Sequence, residues 1–354
     1  MATTINETLF GALDDGTEVN LYTLDNDQGM RVSVTNLGGI VTALHCPDRD
    51  GHLDDVVLGF DQPQFYLRSP FVGALIGRYA NRIANGRFVL DGENYQLAVV
   101  NNGHQLHGGP DGFDKRLWGA QSTTTDGDNA LMLSLTSADG EQGFPGEVKV
   151  QVTFILTPDN ALHIRYDAVT DQPTHINMSH HGYFNLQGGG DVLHHELAIY
   201  ANAFTPVDDM LIPTGELAPV EGTALDFRRA KGIGEDIGSE EAQMLIAGGY
   251  DHNFVLDKPE GMVLAPAARV IETESGRIMT LSTTEPGLQF YSGNFLNSRM
   301  TGKGRAFSPQ AAFCLEPQHF PDSPNRPEFP STILRPGQTY QSESVYQFTT
   351  DREV

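Results

Sequence analysis

The chain has 354 residues, of which 46 are acidic and 22 basic, so its formal net charge is −24. This excess opposes binding to nucleic acid or to an anionic membrane surface, because both need a positive field. Its two cysteines, Cys46 and Cys314, are too few for a disulfide framework and match no zinc motif. The sequence has no run of about 18 apolar residues that could span a membrane and no secretion signal. We therefore expect a cytoplasmic protein with no membrane or nucleic-acid partner.

Lysine is rare among the basic residues, since only five of the 22 are lysine and the rest are arginine. Many carboxylates with few lysines suit a protein that stays soluble at elevated salt, where self-repulsion is screened. A merely acidic cytosolic protein would have the same composition. The sequence leaves both interpretations open.

Short runs with a period of two, separated by turn residues, predict β-strands along the whole chain. The predicted strands are residues 19–24, 31–35, 88–90, 95–100, 131–135, 148–155, 162–169, 196–200, 278–282, 288–291 and 344–348. Two hairpins are predicted among them. The first has a four-residue loop at Asp91-Gly-Glu-Asn94, and the second turns at Pro158-Asp-Asn160.

Helical patterns are few. Residues 62–66 can hold one helical turn, and residues 235–247 can hold one or two. Strands do not alternate with helices as βαβ units require, which argues against a doubly wound nucleotide-binding fold. No linker, repeat or abrupt change of composition divides the sequence. We predict an all-β protein whose antiparallel sheets pack as one large β-sandwich domain over residues 1–354.

Six segments interrupt the alternation with glycines and polar residues that a strand does not need. They are Asn81-Arg-Ile-Ala-Asn-Gly86, Leu106-His-Gly-Gly109, His181-Gly-Tyr-Phe-Asn-Leu186, Asp251-His-Asn-Phe254, Thr284-Glu-Pro-Gly287 and Leu315-Glu-Pro-Gln-His-Phe-Pro-Asp322. Each is weak on its own, because Asp251 can cap a turn and Arg82 can form a structural ion pair. Glu316 is more suggestive. A carboxylate in an apolar run either points outward or is buried, and burial raises its pKa toward that of a general base.

Together, in this order and at this spacing, the segments resemble the aldose 1-epimerase (galactose mutarotase) family. The resemblance covers nearly the whole chain, from Leu37-Gly-Gly39 to Leu334-Arg-Pro-Gly-Gln-Thr-Tyr340. It implies a β-supersandwich with few short helices and an open sugar-binding cleft. It also implies that the protein interconverts the α and β anomers of free aldoses such as galactose and glucose. This reaction opens and closes the ring by general acid/base catalysis and needs no cofactor and no metal.

Position by position, the resemblance assigns the base to Glu316 and the acid to His181. The same resemblance assigns contact with the sugar to Arg82, His107 and Asp251, and we add Asn81 and Glu285 as candidate sugar-binding residues. A carboxylate and an imidazole suit proton exchange with a hemiacetal near neutral pH. The charged residues of the second group would fix hydroxyls through charge-assisted hydrogen bonds.

Three positions depart from the family's pattern. Glu285 stands where some members have Gln, and a carboxylate there could accept two sugar hydroxyls or raise the pKa of Glu316. His180 stands where many members have Asn, and Gly182 stands where Ser is common. His180 could shift the pKa of the neighbouring His181, although an outward or packing role is the simpler interpretation.

Other functions stay open at this point. A hexose-6-phosphate 1-epimerase would need a cationic phosphate pocket, for which Arg228 and Arg229 are candidates. A sugar-binding module without catalysis should lack the acid or the base, and both are present. A glycoside hydrolase would need paired carboxylates, which Asp251 and Glu316 could supply. The sequence does not distinguish a monomer from a homodimer or name the preferred aldose.

Overall fold

A computed structural model describes residues 3–69, 71–100, 102–259 and 262–352. Its first strands, in chain order, are β1 (Thr4–Ala12), β2 (Glu18–Asp25), β3 (Arg31–Thr35), β4 (Val41–Pro47), β5 (Leu53–Asp55), β6 (Leu75–Ile76), β7 (Arg82–Ile83), β8 (Arg87–Leu90), β9 (Glu93–Gln96), β10 (Gln105–Leu106), β11 (Gly119–Thr125), β12 (Asp128–Ser137), β13 (Val148–Leu156), β14 (Ala161–Thr170) and β15 (Thr174–His175). The later strands are β16 (Ser179–His180), β17 (Glu196–Ile199), β18 (Ala201–Thr205), β19 (Ala218–Pro219), β20 (Lys231–Gly232), β21 (Asp251–Leu256), β22 (Ala265–Ile271), β23 (Arg277–Thr283), β24 (Gly287–Tyr291), β25 (Thr301–Gly302), β26 (Arg305–Ala306), β27 (Cys314–Gln318), β28 (Ile333–Leu334) and β29 (Tyr340–Thr350). The helices in these ranges are α1 (Pro63–Arg68) and α2 (Ala242–Ala247).

The predicted all-β class and the scarcity of helix are confirmed. Every predicted strand overlaps a strand of the structure, and both helices lie in or beside the segments predicted to be helical. Proline at its first position starts α1, and Gly248 in the left-handed region ends α2. Within the described ranges, neither of these six-residue helices nor any other is long and apolar enough to cross a membrane.

One predicted hairpin is wrong in detail. Its strands β8 and β9 are joined by the two residues Asp91 and Gly92, not by four, and β9 ends at Gln96. Both turn residues have positive φ, 51° and 88°. Asp-Gly is a favoured sequence for this left-handed two-residue turn, whose twist matches that of the paired strands. The Asp-Gly pair was therefore the stronger signal than the longer polar run.

Three large antiparallel sheets form the fold. Sheet one is a meander in the order β1-β2-β3-β4-β5, and sheet two has the order β11-β12-β13-β14-β29-β23-β22-β17-β20. Sheet three has the order β19-β18-β21-β24-β27. The last strand, β29, inserts between β14 and β23, so it joins the two halves of sheet two. Sheet three carries two of the predicted site residues.

The largest apolar cluster among the described residues lies between these sheets. It includes Val32 of sheet one, Leu133 of sheet two and Leu288 of sheet three, each of which is fully buried. Period-two alternation sends one face of each strand into this core and leaves the other face to polar residues. The shared core supports the prediction of one β-sandwich domain over residues 1–354, which stays a prediction.

Candidate active site

Sheet three places the predicted base on a polar face. Strand β24 lies between β21 and β27, and its Gln289 is the direct cross-strand neighbour of Glu316. The flanking residues Leu288 and Leu315 are fully buried in the core on the opposite face. Because side chains alternate along a strand, Glu316 and Gln289 must then share the other face. The apolar run around Glu316 therefore directs its carboxylate toward the cleft.

The predicted acid is held by the loop that follows β16. The His181 N–H donates to the Ala74 carbonyl at 2.9 Å, and its own carbonyl accepts from the Gly73 N–H at 3.0 Å. Its ring stacks on Tyr183, with ring centres 4.9 Å apart and 22° between the planes. Phe71 stacks on the same imidazole at 5.9 Å. These contacts fix the plane of the His181 ring at the edge of sheet three.

A third group of residues comes from the pairing of β7 with β10. Leu106 lies opposite Arg82 in this pair, so Asn81 and His107 meet at its end. His107 donates its N–H to the Asn81 carbonyl, and the Asn81 N–H donates to His107 Nδ1, both at 3.1 Å. Both residues have positive φ, near 63° and 51°. The reciprocal hydrogen bonds hold this strained backbone in place.

These elements enclose one open cavity of about 390 Å³. Its polar lining contains six of the seven predicted site residues, which are Asn81, Arg82, His107, His181, Asp251 and Glu316. The remaining lining is formed by Phe71, Asn102, Leu106, Tyr183, Leu211, Tyr291, Phe295, Leu296 and Met300. A cavity of this size, apolar on one side with converging polar groups, is typical of small-molecule sites.

Glu316 is the most perturbed carboxyl group of the cavity. Burial raises its pKa well above the usual value, the charge of Asp251 raises it further, and Arg82 acts in the opposite direction. Glu316 Oε1 lies 3.7 Å from His181 Nε2, and Oε2 has no hydrogen-bond partner among the described residues. A buried carboxyl oxygen without a partner is costly unless a ligand supplies one. Its position is consistent with a group that binds and deprotonates substrate.

The imidazole of His181 has the complementary shift. Burial lowers the pKa of His181 to about 3, while its own backbone carbonyl raises it and His180 lowers it further. In the free protein, burial therefore favours a protonated Glu316 beside a neutral His181. The carboxylate and imidazolium form of this pair carries the same single proton. The pair can pass that proton to a ligand and take one back at the other group.

His107 faces the same centre as a hydrogen-bond donor. Its Nδ1 accepts from the Asn81 N–H, so the proton of the neutral ring must lie on Nε2. Burial lowers the pKa of His107 well below its usual value, and the charges of His181 and Arg82 lower it further. The ring therefore stays neutral and directs an N–H toward the cavity. Such a group suits a sugar oxygen.

Among the described residues, one set of side chains has the spacing of metal ligands. Ligand atoms of His107, His181 and Glu316 lie within 4.8 Å of one another. A metal would need the Nε2 lone pair of His107, which requires the proton on Nδ1. Nδ1 instead accepts from Asn81, so the tautomer that this contact selects does not fit a metal. The donor set is better matched to an oxygen-rich organic ligand.

Gln289 is a site residue that the sequence analysis missed. Its Nε2 donates to Asp251 Oδ1 at 2.7 Å, while Arg82 Nη2 approaches Asp251 Oδ2 at 3.8 Å. These two contacts orient the Asp251 carboxylate at the cavity wall. The available signal was a lone glutamine inside the apolar strand β24, directly before Phe290. Tyr183, which stacks on the predicted acid, was also missed within its own motif.

Glu285 is the predicted sugar-binding residue that the structure does not place in the cavity. It precedes β24 at the end distant from Tyr291, and it is 2% exposed. Its carboxylate accepts hydrogen bonds from His319 Nδ1 at 2.6 Å and from the Tyr340 hydroxyl at 3.2 Å. Glu285 is also absent from the groups that shift the pKa of Glu316. The structure supports neither of the two roles considered for it, because a buried ion pair with His319 takes up its charge.

We expect Glu285→Gln to leave KM for the sugar within about twofold of the parent, but to reduce stability by about 2 kcal/mol. Burial acts to raise the pKa of Glu285, but His319 and the hydrogen bonds outweigh it and lower the pKa. Burial acts to lower the pKa of His319, but Glu285 outweighs it and raises the pKa. Stability from Glu285 is lost as pH falls through its lowered pKa, and that from His319 is lost as pH rises through its raised pKa.

The difference in melting temperature between parent and variant should therefore be largest between about pH 4.3 and pH 6.5, the two unfolded-state values. It should shrink at pH 9. Thermal melts at pH 5.5 and pH 9, together with Michaelis–Menten kinetics, test this prediction. A tenfold rise in KM, or an equal loss of stability at both pH values, would contradict it.

His180 and Gly182, which flank the predicted acid and depart from the family's pattern, pack closely together. His180 is 1% exposed, its Nε2 contacts the Gly73 carbonyl at 3.1 Å, and its ring packs edge-on against Tyr346. A Cβ at Gly182 would lie 2.9 Å from His180 Cε1 and 2.7 Å from the Phe184 ring. The imidazole of His180 thus occupies space that a residue larger than glycine at 182 would need. His180 has a packing role, with only a minor effect on the pKa of His181.

Comparisons with known proteins agree with this geometry. The family model for aldose 1-epimerase matches residues 20–347. The chain belongs to the aldose 1-epimerase family. It is 43% identical to galactose mutarotase of Rattus norvegicus over 350 residues, covering 98% of each chain. It is 41% identical to aldose 1-epimerase of Escherichia coli over 342 residues, covering 95% of this chain and 97% of the relative.

A solved structure shows the same architecture. The galactose 1-epimerase from Lactobacillus acidophilus superimposes with a TM-score of 0.87, at 28% identity and with 99% of each chain covered. The predicted family and the predicted β-sandwich class are therefore confirmed. Members of the aldose 1-epimerase family are isomerases, so this chain is an enzyme of that class.

Proposed function

We propose that this aldose 1-epimerase interconverts the anomers of free aldoses such as galactose and glucose, with Glu316 as the base and His181 as the acid. The observation that carries the assignment is the buried pair of these two groups, 3.7 Å apart, at the wall of an open cavity. The names of the matched relatives, galactose mutarotase and aldose 1-epimerase, support the same substrate class.

Ring opening moves two protons. The Glu316 carboxylate takes the proton of the anomeric hydroxyl while the His181 imidazolium protonates the ring oxygen. The bond between C1 and the ring oxygen breaks, and C1 becomes an aldehyde carbon. Rotation about C1–C2 then presents the other face of the aldehyde to the ring hydroxyl. On closure, His181 takes back its proton and Glu316 returns its proton to the carbonyl oxygen, so both groups regain their starting state.

The electrostatics of the pair suit this cycle. Glu316 and His181 share one exchangeable proton. In the charged form of the pair, a carboxylate faces an imidazolium, and in the uncharged form a carboxylic acid faces a neutral imidazole. Ring opening changes the pair from the charged form to the uncharged form. Burial favours the uncharged form. Sugar hydroxyls and the nearby Arg82 favour the carboxylate. Bound sugar thus opposes the preference that burial creates, which lowers the free-energy cost of proton transfer in both directions.

The other polar groups of the cavity would bind and orient the sugar. The Asp251 carboxylate can accept hydrogen bonds from sugar hydroxyls, and its orientation is fixed by Gln289 and Arg82. His107 supplies a neutral N–H near the reacting centre. Asn81 links His107 to Arg82. Its backbone N–H donates to His107, and its Oδ1 accepts the Arg82 backbone N–H at 2.9 Å. Charge-assisted hydrogen bonds of this kind position a polyhydroxylated ring.

The site gives little support to two alternative functions, those of a hexose-6-phosphate 1-epimerase and of a glycoside hydrolase. Arg228, a candidate phosphate ligand, is bound by Asp226 at 2.8 Å and by Glu221 at 3.2 Å, outside the cavity. Among the described residues that line the cavity, Arg82 is the only arginine or lysine, and the carboxyl groups of Asp251 and Glu316 would repel a phosphate. A glycoside hydrolase needs a second carboxyl group that is free to act as general acid. Asp251 is instead held by Arg82 and Gln289.

Polarimetry tests the proposal. The protein is added to freshly dissolved α-galactose, α-glucose, α-xylose and glucose 6-phosphate, and the rate of change of optical rotation is compared with the spontaneous rate. We expect acceleration with the free sugars and none with the phosphate ester. An assay with nitrophenyl galactosides should detect no release of nitrophenol. Acceleration confined to glucose 6-phosphate, or hydrolysis of the glycoside, would overturn the assignment. A monomeric or homodimeric state and a cytoplasmic location stay predictions.

A further inference from the structure

Cys314 lies behind the acid, on the same strand as the base. It starts β27, two residues before Glu316, so both side chains project from the same face of that strand. Its Sγ lies 3.5 Å from His181 Nδ1, and both side chains are buried. Cys314 does not line the cavity. One strand therefore carries the base toward the ligand and a thiol toward the far side of the acid.

We propose that Cys314 is a positioning residue for His181, whose sulfur accepts the Nδ1–H and so leaves Nε2 as the only nitrogen that exchanges protons. This inference rests on the proposed role of His181 as the acid. Among the described residues, the hydrogen-bond contact of Nδ1 is with Cys314, whereas Nε2 is the nitrogen that faces Glu316. The thiol thus acts on the reaction only through the imidazole.

Stacking alone cannot fix the orientation of this ring. Tyr183 and Phe71 stack on the His181 imidazole with 22° and 25° between the ring planes. These contacts hold the plane, but a half-turn about the Cβ–Cγ bond exchanges the positions of the nitrogens and carbons within it. A directional contact at Nδ1 distinguishes the two orientations. Cys314 Sγ is the contact that does so.

The tautomer follows from the contact at Nδ1. The Cys314 sulfur lies 3.5 Å from Nδ1 and can accept its proton, and the backbone of His181 acts in the direction that raises the pKa of the ring. A proton on Nδ1 leaves a lone pair on Nε2. In the free protein, Glu316, whose pKa is raised, can then share its proton with Nε2. The same arrangement returns after each ring opening, when Nε2 has given up its proton.

A neutral acceptor has a chemical advantage over the carboxylate that supports histidine in many triads. A carboxylate beside Nδ1 stabilises the imidazolium and raises the pKa of the ring. Burial raises the pKa of the Cys314 thiol well above its usual value, with Glu316 and Asp251 adding to the shift, so the group stays uncharged. It orients His181 without making it a weaker acid. The ring oxygen of a sugar is a weak base and needs a strong acid.

Three variants test the proposal. Cys314→Ala should lower kcat about tenfold with KM within twofold of the parent, because orientation is lost while sugar contacts remain. Cys314→Ser offers a hydroxyl at the same place and should recover kcat to within about threefold. Cys46→Ala is the matched control, since Cys46 is 1% exposed and lies in the large apolar cluster between the three sheets, to which Cys314 does not belong. It should show parental kcat and KM, and thermal melts establish that each variant is folded.

A spectroscopic readout separates positioning from general loss of packing. In ¹⁵N-histidine NMR, the parent should show His181 with its proton on Nδ1, and Cys314→Ala should show a mixture of the two tautomers. The His181→Asn variant identifies the resonances. If Cys314→Ala keeps both the parental tautomer and the parental kcat, the role of Cys314 is overturned. If His181→Asn itself retains full turnover, the proposed function fails instead, so the two failures are distinguishable.

Discussion

Glu316→Gln should reduce kcat by about three to four orders of magnitude while the protein stays folded. Glutamine has the shape of glutamate but cannot take the proton of the anomeric hydroxyl. The fold does not depend on the carboxylate, because Glu316 Oε2 has no hydrogen-bond partner among the described residues and Asp251 repels the charge. Polarimetry with galactose, corrected for the spontaneous rate, measures the loss. Turnover within tenfold of the parent would remove Glu316 as the base.

The stability of this variant has an expected sign. Burial and then Asp251 raise the pKa of Glu316 in the folded protein, so the folded state binds more protons than the unfolded state above about pH 4.3. The stability of the parent therefore falls in that range as pH rises, and the variant lacks this loss. Glu316→Gln should melt at or above the parental temperature at pH 8. Glu285→Gln, a buried glutamate outside the cavity, is the matched control and should keep parental kcat.

His181→Asn should lower kcat by a similar factor, because none of the other described residues that line the cavity can protonate the ring oxygen from this position. His107 cannot become an imidazolium while its Nδ1 accepts the Asn81 N–H. KM should change little if the loss is in proton transfer rather than binding. The measurement is the initial rate of mutarotation over a range of sugar concentrations. A tenfold increase in KM at unchanged kcat would assign His181 to binding instead.

The parental pH profile should be bell-shaped, and its limbs belong to the coupled pair. At low pH both Glu316 and His181 are protonated, so no carboxylate is available as the base. At high pH both are deprotonated, so no imidazolium is available as the acid. His181→Asn should leave a single titration. His195→Asn is a control, because His195 is buried, accepts the Leu186 N–H at 3.0 Å and lies outside the cavity lining. It should keep the bell-shaped profile.

Much of the fold can be read from local patterns. The strands β13 and β14 match the predicted hairpin almost residue for residue, because their inward residues all enter one core. The strand β1 was missed, because it lies at an edge and is largely exposed. Strands β21 and β27 were treated as motifs rather than strands. Their polar residues, Asp251 and Glu316, interrupt the alternation because that face lines a cavity instead of a core.

The sequence by itself determined the residue types, their order and the faces they take. Those were enough to predict antiparallel sheets, the family, and Glu316 and His181 as a candidate pair. Only the tertiary structure decided which polar groups meet. Glu316 and His181 are 135 residues apart in the chain and 3.7 Å apart in space. Glu285, from another of the six polar segments, pairs with His319 instead. Local periodicity sets the direction of a side chain, whereas its partner depends on how distant strands pack.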